Sequence, residues 1–157
     1  MNDISCVIAA AGKGERSGLS YPKTLYKINN VPIIIRILKV LEQFDKKPSI
    51  IVNPNSHQFI KKCILNYHKK AELIIQKSQK GMGDALLQFK KSDKYNVTNN
   101  VLLVWGDIPF IRKSTILKLI DSHYKNKNDF TLISKFVKNP YTFINRNKKN
   151  KIISITE

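Results

Sequence analysis

The sequence predicts an α/β domain built on a mostly parallel sheet with helices on both faces. Three observations predict it. Short apolar runs rich in β-branched residues recur along the 157 residues, amphipathic stretches alternate with them, and unusual loops follow three of the runs. Such alternation is that of βαβ units, whose crossovers return each strand parallel to the last.

The elements follow in order. "ISCVIAA" (4–10) is a continuous apolar run, as a strand buried on both faces should be. "PIIIRILKVLEQF" (32–44) spaces apolar residues three and four apart, with Pro32 suited to a first helical turn. "SIIVN" (49–53) is a second strand, and "SHQFIKKCILNYHKK" (56–70) a second helix with Ser56 as N-cap. "AELIIQ" (71–76) is a third strand, "GDALLQFKKS" (83–92) a helix and "VLLVWG" (101–106) a fourth strand. A helix over 113–126, with Ser114 or Thr115 near its start, precedes a fifth strand at "DFTLISKFV" (129–137). After Pro140 the rhythm breaks, and "YTFINR" and "KIISITE" read as two short strands across the polar turn "NKKN". The chain stops at Glu157 on the heels of a strand, as a doubly wound domain truncated at its C-terminus would.

Composition narrows the class. The length is that of one domain with a proper core. No stretch approaches the ~18 apolar residues of a membrane span. The N-terminus has no basic region before its apolar run, unlike a signal peptide. Cys6 and Cys63 form neither a disulfide framework nor a zinc spacing, and Cys6 reads as a small buried hydrophobe. The expectation is a reduced, cytoplasmic protein. A net charge of +17 suggests nucleic-acid binding, but the lysines are spread along the chain without aromatic interleaving, and asparagine and isoleucine are heavily used as well. Coding bias explains that pattern better than a nucleic-acid surface. Attraction for polyanionic nucleotides holds on either reading.

In an open α/β sheet, ligands bind beyond the carboxyl ends of the strands. Three unusual segments fall there. The first, "AAAGKGERSGLSYPKTL" (9–25), offers small residues at Ala10, Ala11 and Gly12 for close approach to a base or ribose. Gly12, Gly14 and Gly18 let successive amides converge on phosphate oxygens. Lys13, Arg16 and Lys23 bring three cations to one loop, enough to spread the charge of a triphosphate losing pyrophosphate. The loop lacks both the G-K-[ST] ending of a P-loop and the final glycine of a dinucleotide fingerprint. The second segment, "QKSQKGMGDAL" (76–86), holds Gln76, whose amide can read a pyrimidine edge, and Gly81 and Gly83, which can admit a flat base. In the third, "VLLVWGDIPFI" (101–111), a strand ends in Gly106-Asp107, and Asp107 is placed to hold a magnesium ion.

Together the three loops resemble the nucleotidyltransferases that activate sugar phosphates, whose signature runs roughly A-A-G-x-G-T-R-M and then P-K-x-L. The glutamine-glycine segment and "GDIPFI" follow in the order found in the uridylyltransferase domain of bacterial N-acetylglucosamine-1-phosphate uridylyltransferases. "NPYTFINRNKKNKIISITE" is similar to that domain's next segment. The resemblance covers the whole chain and implies a Rossmann-like three-layer sandwich. It further implies Mg²⁺-dependent transfer of a nucleotidyl group from an NTP, UTP favoured, to a sugar 1-phosphate. Ala10, Ala11, Gly12, Gly14 and Gly106 would line the nucleotide, with Gln76, Gly81 and Met82 near the base. Arg16 and Lys23, assisted by Lys13, would stabilise the phosphates. Asp107 would ligate the metal, and Thr142 and Glu157 would meet the sugar. The 157 residues would be the nucleotide half of the site and the start of the acceptor half.

The departures are local. Glu15 stands for a threonine, Ser17 for a methionine, Met82 for a threonine and Asp84 for a histidine, and Thr142 replaces a glycine. A cytidylyltransferase, a molybdenum-cofactor nucleotidyltransferase and a nucleotide-binding protein without turnover are the alternatives on the same fold.

Overall fold

The computed structural model describes residues 4–12, 14, 17–78 and 80–156. The chain divides into two compact units, 1–116 and 117–157.

In the first unit, β1 (Ile4–Ala10), β4 (Ser49–Val52), β5 (Glu72–Ile75) and β6 (Asn100–Trp105) form one parallel sheet in the order β5-β4-β1-β6. Neighbouring residues Val7 and Ile8, and likewise Ile50 and Ile51, are all fully buried, although alternate residues of a strand face opposite ways. Both faces are therefore covered at β1 and β4, which is why these two strands read as unbroken apolar runs, whereas β6 buries Leu102 and Val104 and leaves Val101 and Trp105 exposed. One face packs Val7, Ile51 and Ile74 against Ala85 and Phe89 from the segment between β5 and β6. Helix α1 (Ile33–Leu41) buries Ile34, Ile35, Ile37, Leu38 and Leu41, the set that three-and-four spacing places on one side.

Between β1 and α1 lies a hairpin that the periodicity does not announce: β2 (Lys27–Ile28) and β3 (Val31–Pro32). Asn29 and Asn30 both take positive φ, 48° and 61°, the conformation a two-residue hairpin turn demands. Pro32 thus ends a strand and precedes α1 instead of lying in its first turn. Helix α2 (Pro54–Asn66) starts earlier than expected. Asn53 is its N-cap, accepting the Ser56 N–H at 2.8 Å, with Pro54 in the first turn. Ser56 lies inside the helix and does not cap it. Helix α3 starts at Gly81 (Gly81–Leu87) and tightens into a 3-10 turn over Gln88–Lys91, where the expected helix continued.

Asp45, nearly buried, accepts from the Cys6 N–H at 2.9 Å, the Lys47 N–H at 3.0 Å and Lys94 Nζ at 2.6 Å. Cys6 is fully buried, and burial, with Asp45 adding to it, pushes its thiol up to about 12. Half-buried Cys63 is raised by burial, with Lys27 opposing. A disulfide reagent at pH 8 should therefore label Cys63 alone in the native protein and both cysteines in denaturant. Native-state labelling of Cys6, read by peptide mass, would contradict the packing of β1.

Helix α4 (Lys113–Lys125) runs across the boundary between the units, with Ser114 and Thr115 in its first turn. In the second unit, β7 (Phe143–Arg146) and β8 (Ile152–Thr156) form the expected antiparallel pair around the polar turn. There the side chain of Asn147 accepts the N–H groups of Lys149 and Lys151. The fifth strand expected over 129–137 is absent: among the described residues that segment pairs with no strand. Phe130, Ile133 and Phe136 are exposed, the last fully. Apolar alternation makes a segment compatible with a sheet, but a strand also needs a partner for its N–H and C=O groups.

No helix among the described residues is long and apolar enough to cross a membrane.

Candidate active site

The order β5-β4-β1-β6 sets the site. From β1 the chain moves outward through β4 to β5, then returns to place β6 on the other side of β1. Loops leaving the carboxyl ends of β1 and β6 therefore diverge, and the crevice between them is where such sheets bind ligands. A cleft of about 1030 Å³ lies there.

Its floor is backbone. The Gly106 N–H donates to the Ala9 carbonyl at 2.8 Å, extending the β1–β6 ladder one residue past Trp105. A Cβ at Gly106 would stand 2.8 Å from Ala10 Cβ and 2.9 Å from Ala9 O, so no other residue fits without displacing β1. Ala9, Ala10, Ala11 and Gly12 line the same floor. Asn53 holds it from behind, its Nδ2 donating to the Ala11 carbonyl at 3.1 Å while its Oδ1 caps α2.

The glycine loop then turns. Gly14 adopts φ 69° and its carbonyl accepts both the N–H of Ser17, at 2.8 Å, and the Ser17 hydroxyl, at 2.6 Å. Gly18 also takes positive φ, whereas Gly12 does not, so only part of the expected glycine freedom is used. Lys13, Glu15, Arg16 and Glu157 lie outside the described residues, and with them three of the residues assigned to phosphate or sugar.

Lys23 is positioned by a one-turn 3-10 helix, Lys23–Leu25, that Pro22 introduces. Buried Thr24 donates its hydroxyl to the Gly106 carbonyl at 2.8 Å and ties this turn to the end of β6. The result brings together residues 84 positions apart: Lys23 Nζ donates to Asp107 Oδ2 at 3.0 Å. Both side chains are about half exposed, so the pair contributes at most ~1 kcal/mol to folding. It is a feature of the cleft, free to rearrange around a ligand.

On the opposite wall stand Gln76, Gly81, Met82 and Ala85. Gln76 continues β5 by donating its N–H to the Val52 carbonyl at 2.9 Å, and the residue is 3% exposed. Trp105, 58% exposed, forms part of the rim. The cleft thus gathers Ala10, Ala11, Gly12, Gly14, Lys23, Gln76, Gly81, Met82, Gly106 and Asp107 from the sequence reading. Thr142 lies in the second unit, one residue before β7. Thr24, Asn53 and Trp105 were not anticipated. The signal for Asn53 was legible, since "NPNS" places a capping residue directly before a proline.

Among the described residues, no three His, Cys, Asp or Glu side chains stand together as a metal-binding group. Among the described residues lining the cleft, Asp107 alone carries a carboxylate, half exposed. One carboxylate suits a hard cation such as Mg²⁺, which takes most of its ligands from water and phosphate oxygens.

Residues 6–147 match the MobA-like NTP transferase domain family. The bifunctional protein GlmU of Buchnera aphidicola subsp. Schizaphis graminum is 37% identical over 156 residues, 99% of this chain and 32% of that protein. GlmU of Thermosipho melanesiensis is 32% identical over 152 residues, 96% of this chain and 32% of that protein. The chain therefore spans about a third of the length of these curated relatives. Among solved structures, a CMP:2-keto-3-deoxy-manno-octonic acid synthetase complexed with CTP aligns at TM-score 0.66 and 15% identity, over 98% of this chain and 63% of that one. The inositol-1-phosphate CTP transferase of T. maritima aligns at TM-score 0.67 and 14% identity, over 96% and 62%. These two show the fold. The match over residues 6–147 shows the lineage: the chain belongs to the MobA-like NTP transferase domain family and is a nucleotidyltransferase by descent.

Proposed function

We propose that this chain is the nucleotide-binding half, with the start of the acceptor half, of a cytoplasmic sugar-1-phosphate nucleotidyltransferase that uses UTP and Mg²⁺. The observation that carries the reading is the convergence, in one cleft, of a floor of small residues with no room for a side chain at Gly106, a buried glutamine amide and a lysine–aspartate pair. A nucleoside triphosphate presents the matching sequence of groups: a flat base, a sugar and a polyanion.

In this reading Gln76 and Gly81 meet the base, and Ala10, Ala11 and Gly106 let the nucleoside approach the backbone. Lys23, with Arg16 and Lys13 from the same loop, binds the phosphates. A sugar 1-phosphate oxygen attacks the α-phosphorus in line, the α–β anhydride bond breaks, and pyrophosphate departs. Lys23 stabilises the charge that grows on that leaving group. Mg²⁺, held by Asp107, would supply further neutralisation of the triphosphate. Thr142 and Glu157 are assigned to the sugar. The names of two fold neighbours favour a CTP-using alternative.

Base competition separates these readings. The sequence has a single tryptophan, Trp105, on the cleft rim, so its fluorescence reports occupancy directly. Titration with UTP, CTP, ATP and GTP, each with and without Mg²⁺, is expected to show tightest binding for UTP and a gain on adding Mg²⁺. Equal binding of all four that collapses with salt would reduce the glycine loop to a basic patch and end the uridylyl reading. Preference for CTP would install the alternative.

A further inference from the structure

We infer that Asp84 is a specificity-determining residue: it locks the side-chain amide of Gln76 in one orientation and thereby decides which pyrimidine the cleft reads. The inference rests on the assignment of Gln76 to the base.

The geometry is local and directional. Gln76 Nε2 donates to Asp84 Oδ2 across the start of α3. A carboxylate only accepts hydrogen bonds, so it takes the NH₂ end of the amide and repels the carbonyl end. A flipped amide would set Oε1 against Oδ2, two acceptors face to face in a nearly dry pocket, since Gln76 is 3% exposed. Oε1 is consequently turned away from α3. Among the described residues it has no hydrogen-bond donor, and it is not a sealed-off buried atom. It is the acceptor that Gln76 keeps for a ligand.

Asp84 is itself held. Gln88, one helical turn on, directs Nε2 toward the Asp84 carbonyl and Oδ1 at 3.3 and 3.4 Å. Lys91 Nζ donates to Gln88 Oε1, so Gln88 too has its NH₂ end facing Asp84. Donation therefore converges on Asp84 from both sides, from Lys91 through Gln88 at the surface and from Gln76 at the cleft, and both amides present their NH₂ ends to the one carboxylate.

That fixed orientation of the Gln76 amide distinguishes bases. Uracil carries a ring N–H at position 3, and cytosine carries an acceptor there. With the carbonyl of Gln76 fixed toward the ligand, the N3–H of uracil is matched, while N3 of cytosine in the same position would face another acceptor. A glutamine without a clamp can turn its amide over and satisfy either base. Asp84, not Gln76 alone, makes the site selective.

The test compares the whole chain with Asp84→Asn, whose amide can accept or donate, and with Asp84→Ala. For each, UTP and CTP affinities are read in Mg²⁺ by Trp105 fluorescence. Wild type is expected to favour UTP on the order of tenfold, the discrimination one well-placed hydrogen-bonding pair gives. In both variants the UTP/CTP ratio should fall toward one, through weaker UTP and stronger CTP binding. Equal loss for both nucleotides, with the ratio unchanged, would make Asp84 a structural residue only and overturn the inference. A second readout needs no nucleotide. The Gln76 side-chain NH₂ signals in a ¹⁵N–¹H spectrum, assigned by their disappearance in Gln76→Glu, should shift and approach free-glutamine values in Asp84→Ala. Unchanged signals would overturn the clamp. Shifted signals with no preference among nucleotides in wild type would preserve the clamp and instead sink the assignment of Gln76 to a base.

Discussion

Gly106→Ala should lower the unfolding free energy by about 1–3 kcal/mol, the range for forcing an extra methyl into a packed site, and should abolish UTP binding with it. The added Cβ would stand 2.8 Å from Ala10 Cβ, 2.9 Å from Ala9 O and 3.1 Å from Ala10 Cα, and two of those three atoms are backbone. No side-chain rotation relieves such contacts. The ends of β1 and β6 must separate, which pulls on the bond from the Gly106 N–H to the Ala9 carbonyl, and a shifted Gly106 also disturbs the bond that its carbonyl accepts from Thr24. Because Thr24 anchors the turn that carries Lys23, damage to the floor propagates to the Lys23 end of the cleft. Gly83→Ala is the matched control. Gly83 lies within α3, has no atom within 4 Å of an added Cβ and needs no positive φ, so alanine there should be neutral or stabilising by up to ~1 kcal/mol. Urea denaturation of both variants reads the contrast. Midpoints for Gly106→Ala and wild type that coincide would mean that β1 and β6 have slack at their ends, and the account of the floor would fall.

The parts of this fold that are legible in the sequence are those whose burial is two-sided or whose chemistry is contiguous. β1 and β4 stand out as apolar runs because both faces of the sheet are covered there, and the glycine loop stands out because its glycines and cations follow one another in the chain. Relations across the sheet are not legible. Lys23 meets Asp107 only because β6 returns to lie beside β1, and nothing in the residues of either segment encodes that neighbour choice. Gln76 meets Asp84 only because α3 begins at Gly81, two residues before the start that periodicity suggests. The hairpin at 27–32 was missed for a different reason: its strands are two residues long, too short for alternation, and the asparagine pair at its tip was the only cue. The error at 129–137 shows the converse, alternation without a partner strand.

Lys23 and Asp107 offer the sharpest separation of chemistry from stability. On the proposed reading, Lys23→Ala should reduce nucleotidyl transfer by roughly 10²–10³-fold, the loss expected when a preorganised group opposite a developing charge is removed. Stability should hardly change, because a half-exposed pair contributes little. Asp107→Ala makes a different prediction, whose sign depends on the metal. Without Mg²⁺, the Asp107 carboxylate repels the triphosphate and engages Lys23, so its removal frees a cation and should tighten UTP binding severalfold over wild type. With Mg²⁺ present, the same substitution removes the carboxylate that would hold the ion, and binding should be weaker than wild type. The two titration series therefore cross as Mg²⁺ is added. UMP, which lacks the β- and γ-phosphates, should show little of either effect. A carboxylate that merely orders the lysine would weaken UTP binding in both conditions when removed, with no crossing. Such parallel losses would remove the metal from Asp107 while leaving the nucleotide in the cleft.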